Sequence, residues 1–157
     1  MRSRAMISFD EALKIVLDSV SACGRIELPL LDALSFTAAE DIVSAEQIPP
    51  FNNSAMDGYA VRAQDTAGAT EKNPAVLRVL LDLPAGSHTD RPVGPGEAMR
   101  IMTGAPVPPG ADTVVQVELA ERAPDGSVRI LKEHAPQKNI RLAGEDIPVG
   151  RKVLSAG

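Results

Sequence analysis

Cysteine and aromatic residues are scarce in this sequence. Among its 157 residues there is one cysteine, Cys23, no tryptophan and 3% aromatic residues, whereas 44% are hydrophobic. A single cysteine excludes an internal disulfide framework and is consistent with a reducing compartment. Cys23 has no partner motif, so we predict a packed thiol near the end of a helix. The composition predicts one ordinary domain or two small ones, with an aliphatic core.

Positive charge and long apolar runs are lacking as well. The formal net charge is −5 and the pI is about 5.0. Since there is neither a basic stripe nor an aromatic platform, the composition argues against a nucleic-acid partner. An anionic substrate would have to be held by a few local arginines and by backbone N–H groups. No apolar run is long enough to cross a membrane and no signal peptide is visible, so we expect a cytoplasmic protein without membrane contact.

The N-terminal part is predicted to be helical. Ser8 and Glu11 have the spacing of a capping box, and apolar residues follow at helical spacing as far as Val20. Gly24 is a plausible stop for this helix. Residues 30–34 predict a short second helix.

The middle of the chain is predicted to be rich in strands. Apolar and polar residues alternate over 77–83, a strand is predicted over 98–102, and 114–131 has the pattern of a hairpin around a Pro-Asp-Gly turn. His88 and His134 lie in polar, turn-like contexts and are interpreted as surface residues.

This order of elements predicts an α+β protein built from two interleaved parts. We expect residues 6–50 to form the first part of one domain, which a strand-rich domain over 51–136 interrupts. The first domain is expected to resume over 137–157.

The stretch 49–62 is the first candidate site. Asn53, Ser54 and Asp57 place short polar side chains close together, where they can bind a ligand or a hard cation, and Gly58 permits a close backbone approach. The same residues are also ordinary turn formers. The residue pattern leaves both interpretations open.

Two further motifs carry polar groups at turns. Thr103 and Gly104 follow a predicted strand, and exposed backbone N–H groups there would suit an oxyanion, although a strand-ending turn explains them as well. Arg141 lies close to Glu145 and Asp146. The arginine can grip a phosphate or another oxyanion, and the carboxylates can hold Mg²⁺ through oxygen. A charged turn with an internal ion pair is the alternative.

These three segments resemble, in the same order, the signature motifs of the molybdopterin molybdotransferases. These are the MoeA-type molybdenum insertases, which are related to the E domain of gephyrin. The resemblance is carried by 49–62, 96–118 and 139–150, and it covers nearly the whole chain. It implies an elongated connecting domain that is interrupted by a mixed β domain.

The resemblance also implies an active-site cleft and a reaction. The family joins molybdate to adenylated molybdopterin, with Mg²⁺ or a similar cation, and releases AMP. The catalytic residues implied are Asp57, Thr103 and Asp146. The substrate-binding residues implied are Asn53, Ser54, Gly104 and Arg141. The cation ligands implied are Asp57, Glu145 and Asp146.

The resemblance further implies partners, and this chain also departs from the family pattern. It implies a homodimer with a shared cleft, and molybdopterin adenylyltransferase as a partner. Pterin-binding α/β and C-terminal β domains of the family are absent from this chain, so we expect it to hold half of the site and to be inactive alone. The family usually has an aspartate where this chain has Asn52. The competing interpretations are a non-catalytic interaction module of the gephyrin type and a standalone β-rich ligand-binding domain.

Overall fold

The structure, a computed structural model, describes residues 6–21 and 23–157. It separates into two compact units. One comprises the chain up to Asp41 together with Leu154–Gly157, and the other comprises Ile42–Val153. The predicted domain boundaries, at 50/51 and 136/137, stay predictions. In the described part of the chain, no helix has the length and apolar character needed to cross a membrane.

The first unit contains an α-helix, α1 (Phe9–Ser19), that begins at the predicted capping box. The Ser8 hydroxyl accepts a hydrogen bond from the Glu11 N–H at 3.2 Å, and the Glu11 carboxylate accepts one from the Ser8 N–H at 3.0 Å. Both bonds satisfy donors that the first turn of a helix leaves without partners. None of the helical residues is buried, so the apolar stripe of α1 stays exposed.

Three predictions for this unit are wrong in detail. The helix does not run on towards Gly24, because the backbone becomes extended at Val20. Cys23 therefore lies outside the helix, and its thiol is exposed rather than packed. The second helix is a single 3-10 turn over Leu30–Asp32.

Strands dominate the rest of the chain. They are β1 (Ile42–Val43), β2 (Asn53–Ser54), β3 (Gly58–Val61), β4 (Ala75–Leu83), β5 (Glu97–Ile101), β6 (Thr113–Gln116), β7 (Ala120–Arg122), β8 (Ser127–Ile130), β9 (Ile140–Arg141) and β10 (Lys152–Leu154). Further 3-10 turns lie over Ala63–Thr66 and Val117–Leu119.

Six of these strands form one mixed sheet in the order β6-β3-β5-β4-β8-β7. Strands β4 and β5 are parallel, and the other neighbours are antiparallel. Strand β1 pairs with β10, and β2 pairs with β9, in two-stranded ribbons. A strand-rich chain with a mixed sheet and one described α-helix confirms the predicted α+β class.

Strand β3 is an inner strand between β6 and β5, and all four of its residues are buried. Because successive side chains of a strand point to opposite faces, β3 contributes to two apolar clusters. One cluster contains Tyr59, Val61, Leu77, Ala98, Val115, Val128 and Ile130. The other contains Ala60, Leu83, Val93, Met99, Ile101, Ala105 and Val114. Both are mainly aliphatic, as the composition predicts.

The predicted hairpin over 114–131 is only partly correct. The 3-10 turn at Val117–Leu119 breaks the first strand, so β6 pairs with β3 and only β7 pairs with β8. The surface prediction for His134 is also wrong, since this residue is 2% exposed and its N–H donates to the Thr66 hydroxyl at 3.0 Å. His88 is exposed, as predicted.

Candidate functional site

The three motifs found in the sequence meet at the short strand β2. On one side Asn53 and Ser54 pair with Arg141 and Ile140 of β9. On the other side the Gly104 N–H donates to the Ser54 carbonyl at 2.8 Å, and the Ser54 N–H donates to the Ala105 carbonyl at 3.0 Å. A strand of two residues thus joins segments that are far apart in the sequence.

Asn52 adds two hydrogen bonds to the junction, which is the place where these segments meet at β2. One bond uses its backbone and the other uses its side chain. Its carbonyl accepts from the Val107 N–H at 3.0 Å, and its side-chain oxygen accepts from the Ala143 N–H at 2.8 Å. The amide of Asn139 adds a bond to the Val114 carbonyl at 2.8 Å, from a backbone with φ of 58°. Asparagine tolerates this left-handed region better than most residues.

Asp57 and Thr103 form the central polar pair of the site. Asp57 directly precedes β3 and Thr103 follows β5, and the antiparallel pairing of Gly58 with Ile101 brings the two together. One oxygen of Asp57, Oδ1, accepts from the Thr103 N–H at 2.8 Å and from the Thr103 hydroxyl at 2.7 Å. The Thr103 N–H and hydroxyl hold the pKa of Asp57 below its ordinary value, and the positive charge of Arg100 acts in the same direction. Asp57 is therefore an oriented, ionised carboxylate at the surface.

The backbone donors around Thr103 are already in use. The Thr103 N–H binds Asp57, the Gly104 N–H binds the Ser54 carbonyl, and the Ala105 N–H binds the Met102 carbonyl at 3.0 Å. The expectation that free N–H groups cradle an oxyanion here is therefore wrong. Gly104 has a φ of +82°, which favours glycine and lets the chain turn back towards β2.

Arg141, Glu145 and Asp146 form a closed set of ion pairs. Arg141 Nε donates to Glu145 Oε1 at 2.8 Å, and its Nη2 donates to Asp146 Oδ2 at 2.5 Å. The hydrogen bond to Glu145 raises the pKa of Arg141, and the hydrogen bond to Asp146 raises it further. A hydrogen bond from the Leu142 N–H lowers the pKa of Glu145, and the hydrogen bond from Arg141 lowers it further. This is the charged turn that the sequence left as one of two interpretations, so Arg141 has fewer donors left for a ligand.

The two polar residues of β2 are buried. Ser54 is 1% exposed and its hydroxyl donates to the Met56 carbonyl at 2.5 Å, while Asn53 is 7% exposed and its amide donates to the Phe51 carbonyl at 3.4 Å. These contacts hold the strand and its following turn in place. Direct binding of a substrate by Asn53, Ser54, Gly104 or Arg141 stays a prediction.

Metal binding also stays a prediction. Within residues 6–21 and 23–157, no group of three or more histidine, cysteine, aspartate or glutamate residues is placed to hold a metal ion. Glu145 and Asp146 face Arg141, and no described hydrogen bond or ion pair links Asp57 to either of them. The described residues thus supply at most separate carboxylates, and a Mg²⁺ site at Asp57, Glu145 and Asp146 stays a prediction.

Two clefts border the junction. One, of about 320 Å³, lies between Asn52, Ile140, Leu142 and the loop 107–112. The other, of about 470 Å³, is more apolar and is lined by Phe51, Gly104 and Pro106 together with the loop 86–88. Each cleft is large enough for part of a small-molecule ligand.

The sequence interpretation missed two residues of this site. Asn52 was noted only as a departure from a family pattern, yet it fastens Ala143 to the junction. Arg100 lies between Met99 and Ile101, both of which are fully buried. A charged residue between two apolar residues of a predicted strand is the sequence signal that could have singled out Arg100.

Comparison with known proteins identifies the family. The family described as MoeA N-terminal region (domain I and II) matches residues 7–157. Molybdopterin molybdenumtransferase 2 of Mycobacterium tuberculosis is 45% identical over 152 residues, which are 97% of this chain and 37% of that protein. The molybdopterin molybdenumtransferase of Staphylococcus aureus is 38% identical over 157 residues, which are 100% of this chain and 37% of that protein.

A solved structure agrees with these relatives. The crystal structure of the molybdopterin biosynthesis moeA protein from Pyrococcus horikoshii OT3 superposes with a TM-score of 0.89 at 38% identity, covering 98% of this chain and 40% of that protein. The chain thus belongs to the MoeA N-terminal region family, and it spans 37% of the length of the curated relatives named here.

Proposed function

We propose that this chain acts in molybdenum cofactor biosynthesis, as part of an enzyme that inserts molybdate into adenylated molybdopterin. The observation that carries the proposal is the convergence of the three family motifs on β2. The names of the relatives support the substrates, since those proteins are molybdopterin molybdenumtransferases.

In this proposal Asp57 is the catalytic carboxylate and Thr103 keeps it in place. Two hydrogen bonds to one oxygen fix the carboxylate direction, and the second oxygen stays available for a ligand or a water molecule. An ionised carboxylate can position a hydrogen-bond donor or accept a proton as the phosphoanhydride is broken. Asp146 accepts a hydrogen bond from Arg141 and so orders the turn that follows β9.

Assembly into a homodimer is part of the same proposal. More than half of each of the Val16, Leu17 and Val20 side chains is exposed on or next to α1. An amphipathic helix normally buries its apolar stripe, and a second copy of the chain provides a surface for it. A cleft shared between subunits, and docking of molybdopterin adenylyltransferase, remain proposals with the same family basis.

The decisive experiment is Asp57→Asn in the full-length protein, with Asp125→Asn as its matched control. Asp125 accepts from the Ser127 N–H at 2.9 Å and from the Ser127 hydroxyl at 2.7 Å, which closely reproduces the Asp57–Thr103 geometry in a turn away from the junction. The two substitutions therefore remove the negative charge from equivalent hydrogen-bonded carboxylates, and only one of them lies in the proposed site.

We expect Asp57→Asn to slow molybdate insertion by about 100-fold or more, because loss of a positioned catalytic carboxylate has effects of this order. Asp125→Asn should leave the rate unchanged, and both variants should melt within a few degrees of the parent protein. A parental insertion rate in Asp57→Asn would refute the assignment. Equal losses in both variants would indicate a purely structural role and would favour the interaction-module interpretation.

A further inference from the structure

Arg100 lies beside the Asp57–Thr103 pair but takes no part in it. It belongs to β5, where it is the antiparallel partner of Tyr59 in β3. Its guanidinium carbon lies 5.3 Å from the centroid of the Tyr59 ring, and this ring is 2% exposed. Stacking on a buried aromatic ring limits the orientations that an arginine side chain can adopt.

Within the part of the chain that the structure describes, the guanidinium of Arg100 makes no ion pair. Its Nε is buried without a hydrogen bond, and no ion pair or hydrogen bond within the described residues involves its terminal nitrogens. The acidic residue next to it in the sheet, Asp82, forms an ion pair with Arg122, with 4.0 Å between Asp82 Oδ2 and Arg122 Nη1. A partly buried cation without an acceptor is costly, so such a group calls for a functional explanation.

The strand geometry points this cation towards the site. Asp57 directly precedes β3, and the strand pair Tyr59–Arg100 adjoins the pair Gly58–Ile101 that brings Asp57 and Thr103 together. Arg100 stacks on Tyr59, and its positive charge acts on the Asp57 carboxylate without a direct bond. A cation and an oriented carboxylate thus stand side by side, each with a free polar edge.

The other groups that might bind an oxyanion are already engaged. The N–H groups of residues 103–105 bind protein acceptors, and Arg141 is paired with Glu145 and Asp146. Arg100, in contrast to Arg141, makes no ion pair within the described residues.

We propose that Arg100 is a further substrate-binding residue, whose guanidinium binds a tetrahedral oxyanion, phosphate or molybdate, beside Asp57. The inference rests on the proposed function. Its physical basis is that a planar guanidinium matches the oxygen edge of such anions and offsets the charge of Asp57 as the anion approaches. Tyr59 supplies the stacking surface that holds the guanidinium ready.

The kinetic test compares Arg100→Gln and Arg100→Lys with Arg129→Gln in the full-length protein. Arg129 is an exposed arginine of β8 that pairs with Glu121 at 3.4 Å, so its substitution removes an equal charge away from the site. Loss of a charge-assisted bond should raise KM for the substrate that carries the oxyanion by about 10- to 100-fold. Arg100→Lys should retain part of the affinity, and Arg129→Gln should change neither KM.

The two substrates distinguish the sources of the oxyanion. A rise in KM for molybdate alone assigns Arg100 to molybdate, and a rise for adenylated molybdopterin alone assigns it to the phosphate. Unchanged KM values for both substrates in a folded Arg100→Gln variant would overturn the proposal. In that case a strong effect of Asp57→Asn would still leave the proposed function standing.

A binding measurement on the 157-residue chain keeps the proposal testable if Arg100→Gln does not fold. The Nε–H signal of Arg100 in nitrogen-15 NMR spectra is assigned by its loss in Arg100→Lys. We expect this signal to shift on addition of molybdate or AMP, whereas the Arg129 signal should stay in place. If the Arg100 signal does not shift even at high concentrations of molybdate and of AMP, the result would contradict the proposal, whatever the outcome for Asp57.

Discussion

Replacing Gly58 by alanine tests the packing on which the candidate site depends. Gly58 is buried in β3, next to Asp57, and faces β6 across the antiparallel pair Gly58–Gln116. A methyl group at this position would lie 2.0 Å from the Val115 carbonyl oxygen, 2.8 Å from the Val115 carbonyl carbon and 3.0 Å from the Gln116 Cα. All three atoms belong to the backbone, so no side-chain rotation can relieve the overlap.

The size of the effect follows from this geometry. Carbon and oxygen atoms that are not bonded approach to about 3.3 Å, so β3 and β6 must separate by about 1.3 Å. Overpacking in a well-packed core costs about 1–3 kcal/mol, and a backbone neighbour places this case at the upper end. The lower chain entropy of alanine returns about 0.5–1 kcal/mol. We therefore expect a net loss of about 2–2.5 kcal/mol, or about 4–10 °C in melting temperature for a chain of this size.

Two other glycines serve as controls for the melting experiment. A methyl group on Gly24 has no neighbour within 4 Å, and one on Gly94 lies 3.0 Å from a carboxylate oxygen of Glu97, which can move. Gly24→Ala should be neutral, and Gly94→Ala should cost less than Gly58→Ala. If Gly58→Ala melts within about 2 °C of the parent protein, the close approach of β3 to β6 is refuted.

Two further predictions concern solution conditions and assembly. Hydrogen bonds lower the pKa of Asp57 and Glu97, whose ordinary values are 3.8 and 4.5. The stabilisation that these hydrogen bonds give the folded state is therefore complete above the ordinary values. It is lost as pH falls through the lower pKa of the folded state. The urea concentration at the unfolding midpoint should thus stay level from pH 7 to about 5 and fall in more acid solution. In Glu97→Gln this fall should be smaller. A midpoint that stays level in acid solution would contradict the prediction. For assembly, sedimentation should show self-association that Leu17→Gln weakens, and a strictly monomeric chain at high micromolar concentration would exclude α1 as a contact surface.

Local patterns in the sequence predict the elements whose stability is local. The capping box of α1 involves Ser8 and Glu11, three residues apart, and it forms as the spacing indicates. The alternation over 77–83 lies within β4, although a register shift between Val79 and Asp82 places Leu77 and Leu83 in different apolar clusters. The class α+β follows from such elements without knowledge of their packing.

Long-range pairings escape the same reasoning. Nothing in 114–131 signals the 3-10 turn at Val117–Leu119, because the alternation continues through it while the chain changes partner from β3 to β8. The use of the N–H groups near Thr103 is equally hidden, since their acceptors lie in segments as distant as Ser54 and Asp57. The sequence could name the polar residues of the site but not which of their hydrogen-bonding groups remain free.

Asn52 shows why a departure from the family pattern can leave the site intact. Its side-chain oxygen accepts the Ala143 N–H, and an amide and a carboxylate both supply such an acceptor. The turn that it fastens already contains two carboxylates and one guanidinium, in Glu145, Asp146 and Arg141. An aspartate at position 52 would make the same bond and add negative charge to that set. The amide therefore alters the local charge while keeping the hydrogen bond that joins this turn to β2, so the arrangement around Asp57 does not depend on an acid at position 52.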